Sequence, residues 1–246
     1  MMLMAFQPLN LSKNYVKTIV IDPGHGGQDP GCVFGTTYEK DIVLDIALEL
    51  GRIIKENLPD VKVVYTRDKD TFIGLLERAE IANKNNANAF ISIHVNANAN
   101  TSALGTETWV MGLHKTEANL KLAMKENSVI FLEENYIEKY DGFDPNSPEA
   151  FIIFSLYQDA FLDQSLILAE KIENEFVNKV QRKSRGVKQA GFLVLWKTSM
   201  PSVLIETGFI SNDEERKFIT SKTGQVYLAS AIFRAFRDFK KELESN

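Results

Sequence analysis

The sequence predicts a single α/β domain with a mostly parallel, twisted sheet, helices on both faces of the sheet, and a helical insertion. Short β-branched strands alternate with longer amphipathic helices from residue 18 to about residue 100, an alternation that is typical of parallel sheets. A charged, helix-favouring segment at residues 115–164 then interrupts the pattern. We expect the domain to cover residues 15–246, with the insertion inside it and an N-terminal extension at residues 1–14.

The first half of the chain supplies the alternating strands and helices. Strands are predicted at residues 17–22, 61–65, 89–94 and 105–110. The first helix ends before Pro59, and its apolar residues recur with the helical period at Ile42, Ile46, Leu50, Ile53 and Ile54. A second helix begins at about Gly74 and fades in the asparagine-rich residues 83–88. Its apolar face consists of Leu75, Ala79 and Ala82.

The second half begins with the insertion and then returns to the sheet. Within the insertion, Ser147, Pro148 and Glu149 have the cap, first-position and acidic first-turn chemistry that starts a helix. A further helix at residues 165–180 presents Leu166, Ala169, Ile172 and Phe176. Short strands follow around residues 186–195 and at residues 202–206. A helix opens at Asp213, and a closing helix starts at about Thr223.

Three of the predicted strands each deliver a residue with acid/base or metal-binding chemistry at the C-terminal end. The first strand leads directly into His25, the strand at residues 89–94 ends on His94, and the strand at residues 202–206 ends on Glu206. In an open parallel sheet, ligands bind beyond the carboxyl ends of the strands. We therefore expect these three side chains to meet in one site.

Glu39 has two interpretations. Residues 36–39, Thr-Thr-Tyr-Glu, match a capping box, in which the glutamate bonds back to the N-cap N–H. Alternatively, Glu39 lies at the start of a helix only 14 residues after His25 and reaches the same rim. Two histidines and a glutamate form the His₂Glu ligand set of a catalytic zinc, which would leave Glu206 to handle the proton.

Other polar residues have weaker claims to the site. Glu107, on the strand after His94, either faces the same cleft or is exposed to solvent. Arg67 and Arg78 either bind substrate carboxylates or belong to solvated surfaces. Cys32 is close enough to the His25 loop to be an alternative metal ligand, but a His₂Glu set is already complete without it.

Composition excludes several functional classes. The chain has 28 Lys and Arg against 33 Asp and Glu, a net charge of -5, so we expect no nucleic-acid partner. The single cysteine, Cys32, excludes an internal disulfide framework. No apolar run approaches the roughly 18 residues of a membrane span. Residues 1–11 also lack the features of a secretory signal, so the expectation is a cytosolic protein or one whose leader has been removed.

Four blocks of the sequence resemble the zinc-dependent N-acetylmuramoyl-L-alanine amidases of bacterial cell walls. They are IVIDPGHGG, the glutamate of TYEKDIVLDIA, TRDKDTFIGLLERAEIANKNNANAFISIHVNA and PSVLIETGFISN. The resemblance implies a zinc held by His25, Glu39 and His94, with Glu206 as the catalytic acid/base. The implied substrate is peptidoglycan, cleaved at the amide between the lactyl group of N-acetylmuramic acid and L-alanine of the stem peptide.

The resemblance also implies a location and a form of control. A peptidoglycan substrate implies the periplasm or cell envelope, with a leader in the precursor. Some family members with helical insertions are held inactive until an activator protein displaces the insertion, and acidic residues of this insertion could block the zinc: Glu126, Glu133, Glu134 and Glu138. Two alternatives stay open, namely a zinc peptidase or carboxypeptidase on a related fold and a non-catalytic wall-binding module.

Overall fold

The computed structural model describes residues 15–155 and 160–245, without the side chains of residues 152–155. Its main sheet has six strands, namely β1 Thr18–Pro23, β4 Lys62–Tyr65, β5 Ala89–Asn96, β6 Thr106–Met111, β7 Ser184–Ala190 and β8 Ser202–Phe209. Their order across the sheet is β4-β1-β5-β8-β6-β7. Neighbouring strands pair in parallel except β6 with β8. The predicted α/β class is confirmed.

Helices cover both faces of this sheet. The helices on one face are α1 Glu39–Asn57, α6 Leu162–Val180 and α9 Lys222–Ser245, which pack on Ile19, Ile91 and Val203. The other face carries α2 Leu75–Lys84 and the short α7 Leu193–Trp196, packed on Phe90 and Leu204. Successive strand residues point to opposite faces, so this second face also carries His94 and Glu206, which share the parity of Phe90 and Leu204.

The insertion is helical and contributes to the hydrophobic core of the second face. It contains α3 Glu117–Asn127, a 3₁₀ turn Ser128–Leu132, α4 Tyr136–Lys139 and α5 Pro148–Ser155. Its buried residues in that core include Leu122, Ala123, Val129, Ile130 and Tyr140. The Ser147 hydroxyl accepts from the Ala150 N–H at 3.3 Å, as the predicted cap requires. Residues 156–159 and the predicted extension at 1–14 lie outside the described residues.

Two local predictions are wrong. The predicted strands around residues 186–195 end at Ala190, and the apolar run Leu193–Trp196 is helical; a short apolar run has no periodicity that separates a buried strand from a buried helix. The capping box at residues 36–39 does not form either. Residues 33–38 make a small hairpin, β2 Val33–Phe34 with β3 Thr37–Tyr38, and α1 starts at Glu39 with no side-chain cap on Tyr38.

The helix α8, Asp213–Thr220, connects β8 to α9. Its N-cap, Asn212, accepts from the N–H groups of Glu214 and Glu215 at 3.0 and 3.1 Å. Among the helices that the structure describes, none is both long and apolar enough to span a bilayer.

Candidate metal centre

His25, Glu39 and His94 converge at the carboxyl edge of the sheet. His25 follows β1, His94 lies near the end of β5, and Glu39 is the first residue of α1. Each offers one ligand atom, and these atoms lie within 4.8 Å of one another. All three residues are buried. The structure therefore brings together the three residues that the sequence analysis nominated as metal ligands.

Neighbouring side chains fix the orientation of both imidazole rings. Nδ1 of His25 lies 2.7 Å from Oδ2 of Asp29, and Nε2 of His94 lies 3.1 Å from Oγ of Ser92. The opposite nitrogens, His25 Nε2 and His94 Nδ1, are buried and have no hydrogen-bond partner among the described residues. They lie 3.1 and 3.2 Å from Oε1 of Glu39. Metal-binding histidines have this arrangement, one nitrogen oriented by a neighbour and the other left for the ion.

Glu39 is held as a carboxylate by two backbone donors. The Cys32 N–H donates to Oε2 at 2.7 Å and the Val95 N–H donates to Oε1 at 2.8 Å. Burial alone would raise the pKa of Glu39, but the charge of His25 and the close contacts with both imidazole rings hold it well below its ordinary value. The side chain therefore carries a negative charge into the site, which suits a cation ligand.

The carboxylates around the histidines also act on the imidazole rings. Burial alone would lower the pKa of both rings, but nearby carboxylates, Glu39 foremost for His25, raise the pKa of His25 to about 10. Glu126 and Glu39 raise the pKa of His94 to about 9. The site therefore has a negative potential, which favours the binding of a divalent metal ion.

Glycines leave room for the ligand side chains. A Cβ atom on Gly24 would lie 2.4 Å from Cε1 of His94, and one on Gly31 would lie 2.6 Å from Cδ2 of His25. His25 itself has a φ of 61°, a left-handed conformation that a residue with a side chain adopts only when its surroundings enforce it. The glycine-rich loop predicted around His25 therefore serves the geometry of the site.

Two buried arginines donate hydrogen bonds to the backbone of the His25 loop. Arg78 donates to Oδ1 of Asp22 at 2.8 Å, to the Pro23 carbonyl at 2.8 Å and to the His25 carbonyl at 2.7 Å. Arg67 donates to the carbonyls of Pro23 and Gly24 at 3.0 and 2.7 Å. Both arginines are almost fully buried, so neither sequence interpretation, substrate binding or a solvated surface, is correct. These contacts have no signal in the sequence, because their acceptors are backbone carbonyl groups.

Glu206 lies beside the histidines without a partner of its own. It is paired in register with His94 on the neighbouring strand, and both of its carboxyl oxygens are buried with no hydrogen-bond partner among the described residues. Burial, reinforced by the nearby Glu126 and Glu39, raises the pKa of Glu206 well above its ordinary value. A buried carboxyl group with a raised pKa is suited to taking up and releasing a proton.

Glu107 continues the same row of side chains. It is paired in register with Glu206 on β8 and is buried, so the alternative of simple solvent exposure is wrong. Its carboxylate forms ion pairs with Arg185 and, at 2.9 Å, with Lys188.

The insertion adds a further carboxylate, Glu126, at the end of α3. Its Oε2 lies 3.5 Å from His25 Nε2 and 3.4 Å from His94 Nδ1, the same two nitrogens that face Glu39. Lys125 contacts the other oxygen of Glu126 at 2.9 Å and Sγ of Cys32 at 2.9 Å. Cys32 therefore contacts the insertion through its sulfur. Of the four acidic residues considered in the insertion, Glu126 is the one that reaches the histidines.

Comparison with known proteins agrees with this arrangement. The family described as N-acetylmuramoyl-L-alanine amidase matches residues 19–238. A probable N-acetylmuramoyl-L-alanine amidase, AmiB of Haemophilus influenzae, is 34% identical over 238 residues, which is 90% of this chain and 52% of that protein. The chain thus spans about half the length of this curated relative.

Solved structures share the fold. An N-acetylmuramoyl-L-alanine amidase from Clostridium difficile 630 has a TM-score of 0.68 at 30% identity, covering 92% of this chain and 97% of that one. The CwlD amidase of Clostridioides difficile, solved in complex with the GerS lipoprotein, has a TM-score of 0.67 at 26% identity, covering 92% and 99%. With the family match over most of the sequence, this chain belongs to the N-acetylmuramoyl-L-alanine amidase family.

Proposed function

We propose that this protein is a zinc-dependent amidase of the cell envelope that cleaves peptidoglycan between N-acetylmuramic acid and L-alanine of the stem peptide. The observation that supports it best is the buried cluster of His25, Glu39 and His94, with two ring nitrogens that lack a partner among the described residues. Two imidazoles and one carboxylate form a zinc ligand set with an open position. Family membership supplies the substrate class, and the substrate implies an envelope or periplasmic location.

Each residue then has a distinct task in hydrolysis. His25, Glu39 and His94 would hold zinc, while Asp29 and Ser92 keep the two rings oriented. Zinc, when bound, polarises the scissile carbonyl and lowers the pKa of a water molecule to about 7. Glu206 would take the proton of the attacking water and return it to the departing amine of L-alanine.

Metal analysis of a His94→Ala variant tests the ligand set. We expect the variant to lose both zinc and amidase activity, because it removes one of three ligands. His114→Ala is the matched control, since His114 is the chain's third histidine and is not part of the ligand cluster. A His94→Ala protein that keeps full zinc stoichiometry and turnover would contradict the assignment.

Product analysis separates the amidase from its two alternatives. Mass spectrometry of digested sacculi should show intact stem peptides that begin with L-alanine. A zinc peptidase or carboxypeptidase would instead release shortened peptides, and a wall-binding module would release none. The buried Glu206 beside the histidines favours catalysis, because binding a glycan strand requires no group for proton transfer.

The insertion acts as a gate over the metal centre in this proposal. Glu126 lies within 3.5 Å of both ligand histidines, so its carboxylate would take the position that water and substrate need. The alternative is that the insertion only extends the substrate groove. An activator protein that displaces α3 would remove Glu126, and the CwlD–GerS complex is a precedent for a protein partner on this fold.

A further inference from the structure

A cationic cleft lies next to the catalytic row, on the side away from Glu39. Its volume is about 280 Å³ and it opens between β6, β7 and α3. Arg185 and Lys188 of β7, with Lys121 and Lys125 of α3, line it, and Glu107 is the one carboxylate among its described lining residues. This concentration of positive charge contrasts with the net charge of -5 of the whole chain.

The cleft is continuous with the reacting groups. His94, Glu206 and Glu107 are register partners across β5, β8 and β6, and residues directly opposite on antiparallel strands have Cβ atoms about 4.5–5.5 Å apart. Glu107 and Asn96, two residues after His94, both line the cleft. A substrate with its scissile amide beside His94 and Glu206 would therefore extend one of its two arms into this cleft.

The two cations of β7 have their ring and ion-pair partners on residues of the sheet. The Arg185 guanidinium lies 5.3 Å from the centre of the Phe209 ring, and the Lys188 ammonium lies 5.1 Å from that of the Trp109 ring. Both cations pair with the single carboxylate of Glu107, which leaves one positive charge in excess. Both side chains are also partly exposed, at 34% and 24%, so a ligand can reach them.

A second feature of the cleft calls for a hydrogen-bond acceptor. Trp109 lines the cleft, and its indole N–H is buried without a partner among the described residues. Buried donors are normally paired. The cleft thus combines an excess positive charge with an unpaired buried donor in one of its lining residues, and the charge favours an anionic ligand.

The chemistry of the substrate identifies which arm fits. The carboxyl group of muramic acid is consumed in the scissile amide, and the amino sugars are N-acetylated, so the glycan arm has no charge. The stem peptide carries the free carboxylates of the substrate. Building on the proposed amidase function, we propose that this cleft is a subsite for a stem-peptide carboxylate, bound by Arg185 and Lys188. The planar guanidinium of arginine suits a carboxylate in particular.

Two synthetic muramoyl tripeptides test the subsite on the zinc-loaded full chain. They differ only in whether the peptide carboxyl groups are free or amidated. We expect a preference for the free acid, and we expect Arg185→Gln and Lys188→Gln each to reduce kcat/KM for the acid roughly 10-fold through KM, with little change for the amide. The readout is the ratio of kcat/KM for the acid to kcat/KM for the amide. The fraction of enzyme with an open gate affects both values equally and therefore cancels.

Glu107→Gln gives a test that simple damage to the fold cannot imitate. It removes the carboxylate that occupies both cations, so the preference for the acid, measured as the ratio of its KM to that of the amide, should increase. Lys84→Gln is the control for loss of one positive charge, since Lys84 is an exposed residue paired with Glu80 on α2. Arg185→Lys keeps the charge without the planar fork and should retain part of the preference.

Equal losses on both substrates for the Arg185 and Lys188 variants, or no preference in the unmodified chain, would overturn the subsite. Calorimetric binding of the free tripeptide acid and of its amide gives a second readout that needs no turnover. Tighter binding of the acid that is lost in the Arg185→Gln variant supports the subsite, whether or not the muramoyl peptides are cleaved. If neither peptide is cleaved, that result contradicts the amidase activity but not the subsite. Equal binding of acid and amide overturns it.

Discussion

At the scale of single residues, two buried glutamates of the site differ in what surrounds their charge. Glu39 receives two backbone N–H donors, and its pKa lies well below the ordinary value because the charge of His25 and the contacts with both imidazole rings outweigh burial. Glu206 has no donor among the described residues, and burial raises its pKa well above the ordinary value. The first environment suits a permanent anionic ligand, and the second suits a group that exchanges protons.

We predict that Glu206→Gln folds, keeps its zinc and loses turnover by about 10²- to 10⁴-fold, the usual contribution of a general acid/base. The amide has nearly the same volume as the carboxyl group and removes its proton chemistry. Turnover of a soluble muramoyl peptide, measured with zinc content and far-UV circular dichroism, checks this result. Near-normal kcat would transfer the proton role to another group, and Glu107, the register partner of Glu206, would be examined first.

At the scale of elements, the His25 loop depends on the buried pair of Asp22 and Arg78. Asp22 also accepts from the hydroxyls of Thr66 and Ser92 at 2.5 and 2.6 Å, and Ser92 in turn contacts His94. Burial alone would raise the pKa of Asp22, but Arg78 and the two hydroxyls outweigh it and hold the pKa below its ordinary value. The ionised form is therefore the one that stabilises the fold.

The pH dependence of the stability follows from the lowered pKa of Asp22. Because the folded pKa lies below the unfolded value of about 3.9, the stabilisation is complete above that pH and is lost as pH falls through the folded pKa. Asp22→Asn should lower the free energy of unfolding by about 3 kcal/mol at pH 7, since Arg78 is left buried and unpaired. The difference from the unmodified chain should shrink as pH falls below the unfolded value.

Denaturant titrations of the metal-free protein at several pH values measure this difference without a contribution from metal binding. Asp68→Asn is the control, because Asp68 is exposed and its substitution should change stability by less than about 0.5 kcal/mol. A loss for Asp22→Asn that is small, or that grows toward low pH, would show that Asp22 does not stabilise the loop as an anion.

The elements that the sequence predicted well are those with clear periodicity. Helix α1 shows a regular apolar stripe, and the strands predicted at residues 89–94 and 202–206 end on His94 and Glu206, which the register of β5 with β8 brings together. The short helix α7 was missed because four apolar residues carry no period. Asp29, Ser92 and the arginine contacts to loop carbonyls could not be predicted, since each depends on which loops meet after folding. For the same reason, the sequence alone could not separate Glu126, which reaches the histidines, from the other three acidic candidates of the insertion.

At the scale of the whole molecule, the insertion is part of the core as well as a cover for the site. Its residues Leu122, Ile130 and Tyr140 are buried with the second face of the sheet, and Glu133 accepts from the Leu75 N–H at 3.0 Å at the start of α2. Deleting residues 125–145 would therefore expose apolar surface and remove this contact. A substitution at Glu126 tests the gate with less damage to the fold.

We predict that Glu126→Gln hydrolyses sacculi faster than the unmodified chain, by a factor within about 5 to 150, the usual range of a coupling between two states. The amide lacks the negative charge that holds Glu126 against His25 and His94, so a larger fraction of the enzyme is open to substrate. Glu134→Gln is the control, because Glu134 is an exposed residue of the same insertion. A folded, zinc-loaded Glu126→Gln protein that is no faster, or is slower, would reject the gate and favour an insertion that only extends the substrate groove.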